Sequence, residues 1–144
     1  MVHRDIKPEN VFLTDSLDIK YGDFGISFVS HRYIVNARYE ENTPNVAGTR
    51  LYMSPESFSE GLNLKQLQKS DVFALGITFF ELWCAPKQVD RVNSIVQLKM
   101  DQYNSGSTDD VFSPLGQLQK RNPEMVFLIK KMTKQDPDER WDLL

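Results

Sequence analysis

The residues best suited to catalysis lie in two short polar stretches near the start of the sequence. Asp5, Lys7 and Asn10 stand within "HRDIKPEN", and Asp23 begins the tripeptide "DFG". Oxygen atoms of carboxylates and amides suit Mg²⁺, so Asn10 and Asp23 form a candidate metal pair. Lys7 is then available to contact a phosphate, and Asp5 to orient a hydroxyl and accept its proton. This set predicts transfer of a phosphoryl group to an alcohol, which depends mainly on positioning and charge neutralisation.

These residues are predicted to lie on loops around a short β-hairpin. Pro8 and the charges around it indicate a loop over residues 1–10. Residues 11–14 and 18–23 are predicted to form two strands joined by the turn "DSLD". Residues 25–50 have no steady periodicity, and so long a loop in a compact domain is typical of a functional segment.

The strongest helix signal covers residues 69–86, with Ser70 or Asp71 as its cap and Pro86 as its stop. A helix that is apolar on almost every side is a buried central helix, and this one needs neighbours all round. Its apolar residues are Val72, Phe73, Leu75, Ile77, Phe79, Phe80, Leu82 and Trp83.

Most of the other segments are also predicted to be helical. Ser54 and Pro55 are suited to start a short helix, and Gly61 to follow its end. The predicted segments are a short helix over 54–61, a helix over 88–100, a loop over 104–110, a helix over 122–134 and the start of another over 136–144. The expected fold class is therefore mainly α with a short β-hairpin.

The composition is that of one globular domain. The 144 residues are 40% hydrophobic, enough to enclose a core, and the net charge of −3 argues against a nucleic-acid partner. Cys84 is the only cysteine and is expected to be a packed thiol, so no disulfide framework is predicted. No membrane span or signal peptide is visible, and the cytoplasm, or else the nucleus, is the expected location.

Several motifs together resemble the protein kinases. "HRDIKPEN" is similar to their catalytic loop, "DFG" to their magnesium motif and "SPE" to the end of their activation segment, although Ser54 replaces the usual Ala. Further similar stretches are "GTRLYMSPE", "SDVFALGI" and "DPDERW". Lys7 is similar to the serine/threonine class, and the chain looks most like the kinases of translation initiation factor 2 alpha, with the NIMA-related kinases as a second possibility.

The resemblance implies a role for each matching residue, with ATP and Mg²⁺ as cofactors and a protein serine or threonine as the substrate. Asp5 would be the catalytic base, Lys7 would contact the transferred phosphate, and Thr49 would shape the site beside them. The implied nucleotide-binding residues are Lys7, Glu9, Asn10, Phe12 and Asp23, of which Phe12 would lie beneath the adenine. Asn10 and Asp23 would be the metal ligands.

Other matching residues have implied supporting roles. Glu56 and Arg140 would form a buried ion pair, and Asp71 would hold the backbone of the catalytic loop. His3 and Phe24 would belong to a packed column that links the site to its surroundings.

Arg4 has an implied regulatory role. It would pair with a phosphorylated residue of the activation segment, and such a pair orders a loop. Thr43 is the best-placed candidate, with Ser30 and Ser27 as alternatives.

Parts of the family pattern are missing from the sequence. None of its glycines forms a "GxGxxG" loop, and no "VAIK" strand supplies a phosphate-binding lysine. The resemblance therefore implies a partial large lobe over residues 1–144, a piece of a kinase that is expected to have little activity in isolation. The alternative is a kinase-like protein without catalysis that acts as a protein-binding module. No pattern indicates an oligomeric state.

Overall fold

A computed structural model describes residues 1–29, 47–59, 61–84 and 122–142 of the chain. The described part contains two strands, β1 (Val11–Leu13) and β2 (Ile19–Tyr21), and two α-helices, α1 (Leu64–Cys84) and α2 (Pro123–Met132). Three short 3₁₀ helices cover Pro8–Asn10, Pro55–Phe58 and Pro137–Glu139. This arrangement confirms the predicted fold class. Four predictions lie outside the described residues: the helix over 88–100, the loop over 104–110, the stop at Pro86 and the packed side chain of Cys84.

The two strands form an antiparallel hairpin with Phe12 opposite Lys20. Both strands are shorter than predicted, because the turn begins at Thr14, whose N–H donates to the Asp18 carbonyl over 3.0 Å. Leu17 adopts a φ of 65° in this turn. Strand β1 begins directly after the 3₁₀ helix Pro8–Asn10, so the hairpin is continuous with the segment that contains Asn10.

Helix α1 begins at Leu64, so the prediction of a start at Ser70 or Asp71 was wrong. The side chains of Asn63 and Gln66 each accept a hydrogen bond from the other residue's backbone. Asn63 Oδ1 accepts from Gln66 N over 2.9 Å, and Gln66 Oε1 accepts from Asn63 N over 3.0 Å. This reciprocal capping box satisfies two N–H groups of the first turn. Leu62 and Leu67 pack together in one buried cluster and fix the entry of the chain into the helix.

The main core forms where α1 packs against α2. Phe73, Ile77 and Phe80 of α1 and Ile129 of α2 are buried there. Gly76 allows the close approach, since a Cβ at that position would lie 2.8 Å from the Met132 Cβ and 2.7 Å from the Thr133 Cγ2.

The predicted burial of α1 on all sides holds along most of its length but was wrong at its last turn. Leu82 is 60% exposed and Trp83 is 41% exposed.

Two further helix predictions were too long. The helix predicted over 54–61 is one 3₁₀ turn, Pro55–Phe58, which ends when the Ser59 N–H bonds to the Glu56 carbonyl. The helix predicted over 136–144 is the 3₁₀ turn Pro137–Glu139, with the Asp136 side chain accepting from Asp138 N over 2.8 Å. Each segment starts with a proline that suits a first helical position. Helix α2 ends at Met132, two residues before the predicted end at 134.

Candidate phosphotransfer site

The loop over residues 3–10 is attached to helix α1 by one buried carboxylate. Asp71 Oδ2 accepts from the backbone N of His3 over 2.7 Å, and Oδ1 accepts from the backbone N of Arg4 over 2.9 Å. Burial raises the pKa of Asp71, and the two backbone bonds oppose that effect only in part. The Arg4 backbone adopts a φ of 73°, a conformation that persists only where surrounding contacts impose it. The predicted brace between Asp71 and the loop is confirmed.

The Asp5 carboxylate is the centre of the hydrogen-bond network at this loop. Asp5 Oδ1 accepts from the backbone N of Thr49 over 3.0 Å and from its hydroxyl over 2.7 Å. Asp5 Oδ2 lies 2.8 Å from Lys7 Nζ and accepts from Asn10 Nδ2 over 3.2 Å. Lys7 also donates to the Thr49 hydroxyl over 2.8 Å. The structure therefore brings together four of the predicted site residues: Asp5, Lys7, Asn10 and Thr49.

These contacts fix the ionisation of Asp5. Burial alone would raise the pKa of Asp5, but the hydrogen bonds from Lys7 and Thr49 and the charge of Lys7 outweigh it, so the pKa lies below its usual value. The Asp5 carboxylate in turn raises the pKa of Lys7. A carboxylate offers about four acceptor positions, and the four donors named above occupy them. Asp5 is thus an ionised acceptor with a fixed orientation.

The oxygen atoms of Asn10 and Asp23 are of the chemical type that a hard cation prefers. Asn10 is buried, and its Nδ2 donates to the Asp5 carbonyl over 2.9 Å as well as to the carboxylate, which identifies Oδ1 as its acceptor atom. Asp23 is exposed at a φ of 57°, and its Oδ1 accepts from Gly25 N at 3.4 Å. Mg²⁺ typically takes few protein oxygens and keeps waters or substrate phosphates as its other ligands. Within the described ranges no group of three or more His, Cys, Asp or Glu side chains is suited to hold a metal.

His3 connects the loop to the "DFG" stretch. Its Nε2 lies 3.0 Å from the Gly22 carbonyl, and its Nδ1 lies 3.4 Å from the backbone N of Asp5. Both contacts are satisfied by the tautomer with the proton on Nε2. The His3 ring also packs on Phe24 with centroids 4.8 Å apart, so the predicted contact between these two residues is confirmed.

Phe12 and Glu9 lie beside this network without joining it. The Phe12 side chain is 54% exposed, and its ring lies over Gly22, where a Cβ would be 2.6 Å from Phe12 Cε2. Glu9 is exposed on the 3₁₀ helix. The ring of Phe12 is an open apolar surface of the kind on which a base stacks, but its nucleotide role and that of Glu9 stay predictions.

The predicted buried ion pair is confirmed. Arg140 Nη2 donates to Glu56 Oε2 over 2.7 Å and Nη1 to Glu56 Oε1. The same guanidinium donates to the carbonyls of Lys134 and Gln135 and lies over the Phe73 ring at 4.8 Å. Such a two-pronged geometry suits arginine and not lysine.

A serine cluster beside this ion pair was not anticipated from the sequence. The hydroxyl groups of Ser54 and Ser57 lie 2.7 Å apart, and Ser54 donates to Ser70 over 2.8 Å. Ser70 donates to Glu56 Oε1 over 3.2 Å. Serines are common in loops and caps, so no sequence signal marks these three as neighbours.

Two other buried polar contacts were also missed. Lys69 is buried, donates to the Arg140 carbonyl and lies 2.9 Å from Asp142 Oδ1. Tyr52 donates its hydroxyl to Glu81, and burial together with that carboxylate strongly raises the Tyr52 pKa. Both pairs are far apart in sequence, so no local spacing pattern predicts them.

The predicted phosphate-pairing role of Arg4 stays a prediction. Arg4 Nη1 donates to the Ile26 carbonyl over 3.5 Å, and the Ser27 hydroxyl donates to the Phe24 carbonyl over 2.7 Å. The other two candidate phosphorylation sites, Ser30 and Thr43, lie outside the described residues.

The chain belongs to the protein kinase family, because the family model of the protein kinase domain matches residues 1–143. This confirms the family inferred from the motifs. Over 97% of its length the chain is 32% identical to the eukaryotic translation initiation factor 2-alpha kinase gcn-2 of Caenorhabditis elegans, of which it covers 10%.

Other similar proteins include a receptor kinase, a second eIF-2-alpha kinase and a probable serine/threonine-protein kinase of Dictyostelium discoideum. The chain is 43% identical, over 62% of its length, to the L-type lectin-domain containing receptor kinase V.9 of Arabidopsis thaliana and covers 12% of that protein. It is 35% identical, over 57% of its length, to the eIF-2-alpha kinase GCN2 of Schizosaccharomyces pombe and covers 6% of it. The chain therefore spans about a tenth of the length of these relatives. Among the described helices, none is both long and apolar enough to cross a membrane.

Proposed function

We propose that the chain forms part of the phosphotransfer site of a serine/threonine protein kinase that uses ATP and Mg²⁺. The observation that supports this function best is the Asp5 carboxylate, which is held by Thr49 and Asn10 and lies 2.8 Å from Lys7 Nζ. An ionised acceptor next to a lysine ammonium group suits a reaction in which a hydroxyl attacks a phosphate. The similarity to gcn-2 supports a place among kinases of translation initiation factor 2-alpha, and the similarity to a protein named a probable serine/threonine-protein kinase supports the serine/threonine class.

In this proposal each residue of the site has a separate role in binding or in catalysis. Asn10 and Asp23 would hold Mg²⁺, which when bound neutralises phosphate charge and orients the phosphate for in-line attack. Glu9 and Phe12 would contact the nucleotide, with the adenine on the Phe12 ring. Asp5 accepts the hydrogen bond, and finally the proton, of the substrate hydroxyl.

Lys7 has to change its partner for this to happen. The donors around Asp5 fill its acceptor positions, so a substrate hydroxyl must replace one of them. Lys7 is the donor best able to leave, because it has a long flexible side chain and its ammonium group also binds phosphates. Thr49 and Asn10 then keep Asp5 oriented.

The experiment is a phosphate-transfer assay with Asp5→Asn in the native polypeptide that carries these residues. The amide keeps the size of Asp5 but cannot accept the proton, so we expect turnover to fall by about 10²–10⁴-fold with little change in ATP affinity. Lys65→Ala is the matched control, since Lys65 is an exposed residue on α1. Unchanged turnover in Asp5→Asn would overturn the proposed role of Asp5 and, with it, the proposed function.

We further infer that the 144-residue chain alone binds ATP weakly. The half-exposed Phe12 ring is one apolar face for the adenine, whereas nucleotide sites typically bury most of their ligand. Isothermal titration of the isolated chain with Mg²⁺ and ATP should therefore give no micromolar dissociation constant, and a micromolar value would contradict this inference.

A protein-binding module is the second candidate function. It is favoured by the exposed apolar side chains of the hairpin, which are Phe12, Leu13, Leu17 and Ile19. Large exposed apolar patches are typical of interaction sites. The two functions are distinguished by the assay above: a module without catalysis shows no phosphate transfer in the wild-type polypeptide, whatever residue stands at position 5.

A further inference from the structure

A cavity lies between helix α1, the loop over residues 3–10 and the segment over residues 47–59. Its lining includes Leu67, Ser70 and Ala74 of α1, and it is partly open to solvent. The centres of water-sized molecules can occupy about 50 Å³ of this cavity. One water needs about 10–15 Å³ by the same measure. The cavity therefore has room for roughly three to five waters, or for one organic molecule of similar total size.

Two serines of the lining, Ser57 and Ser70, use their hydroxyl hydrogens within the protein. Ser70 donates to Glu56 Oε1 over 3.2 Å or to the Gln66 carbonyl over 3.1 Å. The Ser57 hydroxyl lies 2.7 Å from the Ser54 hydroxyl and donates to the Ser70 hydroxyl over 3.1 Å. A hydroxyl has one hydrogen and two acceptor lone pairs. Because the hydrogen of Ser57 is used within this cluster, its side chain retains only acceptor capacity for a ligand.

The other hydroxyl groups of the lining follow the same pattern. Thr49 donates to Asp5 Oδ1 over 2.7 Å, and Tyr52 donates to Glu81. Ser59 is the exception, but it is exposed to solvent. The buried and half-buried hydroxyls of the lining can therefore accept hydrogen bonds from a ligand and have no hydrogen to donate to it.

Asp71 adds a carboxylate to the lining. Its two oxygens accept one hydrogen bond each, from the backbone N of His3 and from the backbone N of Arg4. A carboxylate has about four acceptor positions, so about two of them have no donor in the described part of the chain. Arg4 also lines the cavity, so a positive charge borders it as well. A ligand that donates hydrogen bonds complements these acceptors, whereas an anion has no hydrogen to give them.

We propose that this cavity binds a small molecule that has a planar N–H donor group, an amide or an amidinium, on a short branched apolar chain. The N–H group bonds to the acceptors of Ser57 and Asp71. The apolar chain contacts the buried side chains of Leu62, Leu67 and Ala74, which also line the cavity. The binding site is separate from the proposed function, because binding requires no transfer of phosphate.

The test compares four probes of the same size and shape: isobutyramide, isobutyramidinium, 3-methyl-2-butanone and isobutyrate. Only the first two donate N–H hydrogen bonds. Binding to the native polypeptide is followed by saturation-transfer difference NMR of the probe methyl groups. We expect the amide or the amidinium to saturate with a dissociation constant on the order of 1 mM, as suits so small a ligand. The ketone and the carboxylate should bind at least about two- to tenfold more weakly, the effect of one lost hydrogen bond.

Three variants locate the bound probe. Ser57→Ala removes one acceptor and should weaken amide binding about two- to tenfold, while the bond from Ser54 to Ser70 remains. Ala74→Leu fills the cavity and should abolish binding. Ser16→Ala is the matched control, because Ser16 is an exposed residue of the hairpin turn, and it should leave the affinity unchanged. Urea unfolding checks that each variant is folded, and Ser57→Ala decides the question if Ala74→Leu does not fold.

Each outcome supports or overturns the inference. It is overturned if no probe shows saturable binding, or if the ketone binds as tightly as the amide and the amidinium. It is also overturned if Ser57→Ala keeps the full affinity, since the probe then binds elsewhere on the polypeptide. Tighter binding of the amidinium would show that the charge of Asp71 dominates in the cavity, and tighter binding of the amide that Arg4 balances it; both orders support an N–H donor site. Saturable binding by a polypeptide that transfers no phosphate would overturn the proposed function alone.

Discussion

Replacing Arg140 with alanine should destabilise the protein more than any other single charge removal in the described structure. The Arg140 side chain is fully buried, and its partner Glu56 is only 11% exposed. The variant leaves the Glu56 carboxylate buried without its cation, deprives the Lys134 and Gln135 carbonyls of their donor, and removes the contact with the Phe73 ring. Breaking a buried pair from one side costs about 3–5 kcal/mol. Typical domains are stable by about 5–15 kcal/mol, so a large part of the stability is lost.

The measurement is urea unfolding of the wild type and of Arg140→Ala, followed by circular dichroism. A lower midpoint with an unchanged slope would report a loss of stability without a change in the unfolding reaction. Arg140→Lys should lie between the two, because it keeps the charge and loses the forked geometry. Lys65→Ala is the matched control: its pair with Asp138 spans 3.9 Å at the surface and contributes at most about 1 kcal/mol. If Arg140→Ala lowers the free energy of unfolding by no more than this control does, the reasoning is refuted.

Two further predictions concern Asp5 and Gly76. Because the Asp5 pKa is lowered in the folded state, its ionised form adds stability above the unfolded value near 3.8, and that contribution is lost as the pH falls through the folded value. Acid titration of the free energy of unfolding should therefore show a steeper loss below pH 3.8 in the wild type than in Asp5→Asn, and parallel curves would contradict it. Gly76→Ala gains about 1 kcal/mol of helix propensity, but its Cβ would lie 2.8 Å from the Met132 Cβ. We therefore expect urea unfolding to show a net loss of up to about 2 kcal/mol in the free energy of unfolding. A variant more stable than the wild type would contradict the tight packing of α1 on α2.

Much of the candidate site was predictable because it depends on residues close together in one short stretch. Lys7 and Asn10 each bond to Asp5 within the loop over residues 3–10, and the spacing of the motif already implies such contacts. The contacts of Thr49 and Asp71 were also expected, but only from the family resemblance. Nothing in the local sequence indicates that residues so far along the chain bond to this loop.

The start of α1 shows why a helix boundary was misplaced. Ser70 and Asp71 both have the chemistry of a cap, but the helix was already formed there because Asn63 and Gln66 cap it earlier. The hydroxyl of Ser70 and the carboxylate of Asp71 are instead used in tertiary contacts. A polar side chain that suits a cap is also suited to bond a distant backbone, and the sequence pattern alone does not separate the two uses.

The same residues connect the site to the core of the protein. Lys69, Ser70 and Asp71 are consecutive on α1 and therefore point about 100° apart around the helix axis. Their side chains bond respectively to the Arg140 carbonyl, to Glu56 and to the backbone of the loop over residues 3–10. One turn of a rigid helix thus holds both the loop with Asp5 and the buried ion pair. Loss of Arg140 should consequently weaken the protection of the His3 and Arg4 amides against hydrogen exchange, because all three attachments depend on the position of that turn.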